Sequence, residues 1–111
     1  MSRLHPDRVV GFDLAGVRML CETLARDTTL VTRFAVIEGE DDGRSVNVMF
    51  EAADMPALWQ RLWHEVYQHD ALGESMRRSS IAVCHGRRGW DDYLLLHHYD
   101  PAQTRDRFES A

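Results

Sequence analysis

The period of the apolar residues switches along this chain, and that switch limits its fold more than any other feature. Met55, Leu58, Trp59, Leu62, Trp63 and Val66 recur at steps of three and four, the spacing that lines one face of a helix. Leu14, Val17, Leu20, Cys21 and Leu24 do the same earlier. Between and after these stretches the period drops to two. Val46, Val48 and Phe50 alternate with Asn47, Met49 and Glu51, as side chains do on the two faces of a strand.

Local signals place the boundaries. Asp13 suits an N-cap, because its carboxylate can accept from free N–H groups of a first helical turn. A first helix is predicted over 13–27, with Gly16 weakening it. Asp54 caps a second, with Pro56 in the first turn, where a missing N–H costs little. This helix is predicted to run to near Leu72 and stop at Gly73, with a further turn through Ser75 to Arg78. Residues 29–38 and 45–52 read as strands joined by the acidic loop from Gly39 to Arg44, in which Phe34 and Val36 share one face. Residues 80–85 and 93–99 read as a second strand pair around the turn Gly86-Arg87-Arg88-Gly89. The consecutive Leu94, Leu95 and Leu96 predict a strand buried on both faces, either central or at an edge covered on its second face by a partner.

The expected fold class is therefore α+β: two helix–hairpin units forming a four-stranded, mostly antiparallel sheet with both helices on one face. The expected organisation is a single domain over 1–111, with residues 1–8 and 105–111 flexible. At 111 residues a chain buries about 65% of its unfolded surface and folds without a metal or disulfide. The second sheet face, to which Met49, Tyr93, Leu95 and Ala82 are assigned, calls for a cover, and a homodimer would supply it.

Charge narrows the function classes. The net charge of −5 disfavours nucleic acid or an anionic membrane as principal partner. All 13 basic residues are arginine, which excludes Schiff-base lysines and Walker-type phosphate lysines. Cys21 and Cys84 sit among apolar residues and read as buried free thiols, which with the lack of an apolar leader or membrane span makes the cytoplasm the expected compartment.

No cofactor or metal signature stands out. His85 lies near the second turn while His97 and His98 lie at the far end of the following strand, so a hairpin separates them. His64 and His69 are five apart, which misses the three- or four-residue step of a helical ligand pair. Trp59 and Trp63 read as core. The acidic segment from Glu38 to Gly43 lacks the register of a calcium loop.

Three function classes follow. The first is a non-enzymatic protein-interaction module, homodimeric, of the physical type of small secretion chaperones and toxin-neutralising immunity proteins, with Trp90 and Tyr99 as contact anchors. The second is a small enzyme or ligand-binding domain whose cleft by the second hairpin holds His97, His98, Asp91 and Asp92 as acid–base groups, beside Arg87 and Arg88. The third is phosphate or polyanion binding through the arginine pairs Arg77-Arg78 and Arg87-Arg88.

Overall fold

A computed structural model describes residues 1–40, 43–85 and 93–106. The fold is α+β, with three α-helices and a five-stranded antiparallel sheet. In chain order the elements are β1 (Ser2–Leu4), a 3-10 turn (Pro6–Arg8), α1 (Leu14–Ala25), β2 (Arg33–Gly39) and β3 (Ser45–Glu51). Then come α2 (Met55–Leu62), a π-helical turn (Trp63–Tyr67), α3 (Gly73–Ser79), β4 (Ser80–His85) and β5 (Tyr93–His97). The strand order is β2-β3-β1-β4-β5.

The two predicted hairpins are present, with Phe34 opposite Phe50 in one and Cys84 opposite Leu94 in the other. They do not meet edge to edge. The fifth strand stands between them, in the stretch expected to be flexible. Ser2, Arg3 and Leu4 pair with Val48, Asn47 and Val46 on one side and with Ala82, Ile81 and Ser80 on the other. Only Leu4 gives this segment an apolar signal, so pattern alone passes it over.

Both predicted caps form. The Asp13 carboxylate accepts from the Gly16 N–H at 2.9 Å, and that of Asp54 from the Ala57 N–H at 3.2 Å. Gly16 serves this arrangement, because a Cβ there would fall 2.5 Å from an Asp13 carboxylate oxygen. The expected single long second helix is broken. After Leu62 the chain widens into the π-turn, closed by the Gln68 N–H donating to the Trp63 carbonyl at 2.9 Å. Gly73 then begins α3 where the sequence predicts a stop.

One core joins the layers. Val17, Cys21 and Leu24 of α1, Leu58 and Leu62 of α2, Val66 and Tyr67 of the π-turn, and Met76 of α3 pack on Leu4, Val46, Val48, Phe50, Ala82, Cys84 and Leu96 of the sheet. Both cysteines are buried. Trp59 and Trp63 pack against this core, as predicted. Ala82, expected on the opposite face, is 2% exposed and belongs to it. The opposite face carries Ile37, Met49 and Tyr93, exposed by 52%, 42% and 56%. Among the described residues, no helix is long and apolar enough to cross a membrane.

Of the two readings of the leucine run, the central strand is not the one found: β5 ends the strand order, with Leu94 and Leu96 packed on the core. The register shifts between Ala82 and Val83, so that Val83 faces Leu95 while Ala82 faces His97. This irregularity inserts an extra residue and brings Leu96 and His97 both to the inner side.

Candidate anion-binding cleft

Three segments converge beyond the end of β5. The first is the last turn of α3. Gly73, Met76 and Ser79 are its buried residues, a stripe at steps of three that leaves Arg77 and Arg78 off the packed side. The His69 imidazole orients this helix, its Nδ1 accepting from the Ala71 and Leu72 N–H groups at 3.2 Å each. The Arg77 guanidinium donates to the Tyr67 carbonyl and so ties α3 to the π-turn.

The second segment is the end of β5. His97 is 5% exposed, and its ring packs against Tyr67 and Trp63 at centroid distances of 5.1 and 5.8 Å. Its Nε2 lies 2.9 Å from the Arg77 carbonyl oxygen. A carbonyl only accepts, so Nε2 carries the hydrogen, and in the neutral ring Nδ1 is bare. That Nδ1 is buried without a hydrogen-bond partner among the described residues. Burial holds the imidazole below its ordinary range, and the charges of Arg105 and Arg77 push the same way against the bond to the Arg77 carbonyl. His98 uses its Nδ1 to accept from the Asp100 N–H at 2.9 Å, which leaves its Nε2–H as a donor.

The third segment is the return of the chain. Asp100 and Pro101 open a turn in which the Asp100 carboxylate accepts from the Ala102 N–H at 2.9 Å and its carbonyl from the Gln103 N–H at 3.1 Å. Asp106 then fastens the segment to β5. Its N–H donates to the Leu95 carbonyl at 2.7 Å, and its carboxylate accepts from the Leu95 N–H at 2.8 Å. These bonds tie Asp106, which lies in the stretch 105–111, to β5.

Between these segments lies a cleft of about 420 Å³, with Arg77, Arg78 and Arg105 in its wall together with His97, His98 and Asp100. Tyr99 also lines it. The Arg8 guanidinium lies 3.6 Å over the Tyr99 ring and its Nε donates to the Arg78 carbonyl at 3.4 Å, so a fourth arginine touches two of the lining residues. Arg78 is 3.7 Å from Glu74, an exposed pair of little energetic weight. Arg105 has no ion pair among the described residues.

Of the residues singled out in the sequence, the structure brings Arg77, Arg78, His97, His98 and Tyr99 to one site. Tyr99 is half-buried under Arg8 and is no bare contact anchor. Arg87, Arg88, Trp90, Asp91 and Asp92 lie outside the described residues. Sequence reasoning missed Arg8 and Arg105. Both sit in stretches without periodicity, and only the β1–β4 pairing and the return turn carry them to the cleft.

The sequence is 31% identical over 98 residues to a tRNA 2-selenouridine synthase of Pseudomonas entomophila (strain L48), and 31% identical over 98 residues to the protein of that name in Pseudomonas putida (strain GB-1). Each match takes in 81% of this chain and 26% of the relative. The chain thus spans about a quarter of the length of the curated relatives it matches. No family model matches the sequence, and no solved structure is similar to it.

Proposed function

We propose that this chain is a non-catalytic binding module whose cleft beyond β5 takes a phosphate group of a nucleic-acid-type ligand. One observation carries the reading: in a chain of net charge −5, three arginines line a single concave site against one aspartate. Guanidinium groups suit phosphate because they offer forked, permanently charged donors. The likeness to proteins named for a tRNA modification supports the same ligand class. The histidines do not favour acid–base chemistry. One ring nitrogen of each is spent on backbone, His97 on the Arg77 carbonyl and His98 on the Asp100 N–H.

Thermal unfolding in inorganic phosphate tests this. Phosphate should raise Tm in the native chain, by an amount worth about 2.7 kcal/mol at a hundred times Kd. The Arg78→Ala/Arg105→Ala variant should unfold at the native temperature without phosphate and lose most of the increase. Equal stabilisation of both proteins would mean general exclusion of phosphate from the protein surface, and the site would be discarded.

A second reading rests on the other face of the sheet. Ile37, Met49 and Tyr93 are exposed there, which favours a protein interface and supports a homodimer. Light scattering at micromolar concentration should then give a dimer mass that Ile37→Asp reduces to a monomer. A native chain that is already monomeric would remove this reading.

A further inference from the structure

We infer that the cleft takes a single terminal phosphate, a phosphomonoester at a chain end or on a mononucleotide, and not a run of backbone phosphates. The inference rests on the phosphate reading above and adds the form of the ligand. It comes from where the positive charge is and where it is not.

A protein that follows a nucleic-acid backbone needs a stripe of cations along the path. Among the described residues, three of the arginines away from the cleft stand beside acidic side chains and not along a path from it. Arg18 is 3.2 Å from Glu22 on α1. Arg61 is 3.0 Å from Glu65 and 3.5 Å from Asp27. Arg33 faces Glu51 across the β2–β3 pair. With 18 acidic residues against 13 basic, the chain as a whole carries net negative charge, which disfavours a long run of backbone phosphates. The cleft is a local reversal of that sign.

Its shape agrees. The end of α3 bounds it on one side and the return turn on the other, and Asp106 anchors that turn to Leu95 by two bonds. At about 420 Å³ it falls in the range of small-molecule sites, roughly 300–1,000 Å³. Its donors suit a terminal group as well. A phosphomonoester presents three free oxygens and about −1.5 to −2 charges near neutral pH, where a diester has two oxygens and one charge. Arg78 and Arg105 line the cleft, and His98, which lines it too, has its Nε2–H left as a further donor.

The test is fluorescence anisotropy on the full chain with one short RNA sequence in three forms: 5′-phosphorylated, 3′-phosphorylated and with hydroxyls at both ends. A nucleoside monophosphate serves as competitor. At least one phosphorylated form should bind about tenfold or more tighter than the hydroxyl form, since charge-assisted bonds to the extra oxygen are the strong ones. Its affinity should fall with salt with a log–log slope of about −1 to −2, because only one or two charges are neutralised. The monophosphate should displace it, and Arg78→Ala/Arg105→Ala should abolish the preference. Equal binding of all three forms with a steeper slope, still lost in the arginine variant, would overturn the terminal-phosphate inference and leave the phosphate reading standing. Stabilisation by inorganic phosphate without preference among the RNAs would overturn it too. No binding of any RNA or monophosphate, together with no response to inorganic phosphate, would defeat both.

Discussion

Removing residues 1–5 is expected to abolish cooperative folding, the largest effect of any change considered. The three residues of β1 hold the whole sheet together, because β3 and β4 pair only through them. Without β1 the sheet falls into two hairpins, and an isolated hairpin is marginal in water. The same cut removes Leu4, fully buried at the centre of the core, and the Ser2 hydroxyl that bonds the buried Tyr67 hydroxyl at 2.9 Å. Truncating Leu4 alone to alanine should cost about 2–5 kcal/mol. That is a large part of the roughly 5–15 kcal/mol that holds a domain folded. Urea unfolding followed by near-ultraviolet circular dichroism should show a lowered midpoint for Leu4→Ala and no sigmoid transition for the truncated chain. A truncated chain that unfolds cooperatively at the native midpoint would show that β1 is dispensable and the strand order wrong.

The contrast between β1 and the other elements explains how much was legible. Helix α1, the first half of the second helix and the two hairpins announce themselves because each buries one stripe and wets the other, as Val46, Val48 and Phe50 do against Met49 and Glu51. A strand of three residues is too short to show a period, and here two of its side chains are a serine and an arginine. Helix α3 shows in the sequence only as a turn over 75–78, for a related reason. Its buried residues are Gly73, Met76 and Ser79, so a single large apolar side chain marks its packed face. The leucine run left the strand's place open, because apolar residues on both faces suit a central strand and a covered edge strand alike, and β5 is an edge. The cleft was half legible. Arg77 and Arg78 drew notice as a pair, and His97 and His98 by their chemistry. Nothing local links them to Arg8 or Arg105, since that link is made by strand pairing and by the return of the chain.

Gly73→Ala should destabilise the protein, although helix propensity argues the opposite. Glycine within a helix costs up to about 1 kcal/mol relative to alanine, so an unobstructed site would gain from the change. Gly73 is obstructed. A Cβ there would lie 2.6 Å from the Tyr67 carbonyl oxygen and 3.0 Å from the Gln68 carbonyl carbon, both backbone atoms that cannot swing away. It would also come within 3.1 Å of the Arg77 guanidinium, which bonds that same Tyr67 oxygen. Relief requires α3 to move off the π-turn, and Tyr67 is fully buried, stacked on Trp63 at 5.5 Å and edge-on to His97 at 5.1 Å. Overpacking of this kind costs about 1–3 kcal/mol. For a chain of this size that is a fall in Tm on the order of 5–15 °C. Calorimetry measures it, with Glu74→Ala as the exposed neighbour expected to stay within about 0.5 kcal/mol of native. The displacement should also reach the cleft, because Arg77 contributes to its wall and its carbonyl holds His97. Phosphate should therefore stabilise Gly73→Ala less than the native chain. A Gly73→Ala protein more stable than native would mean that α3 and the π-turn do not pack as described, and the arginine wall built on that packing would fall with it.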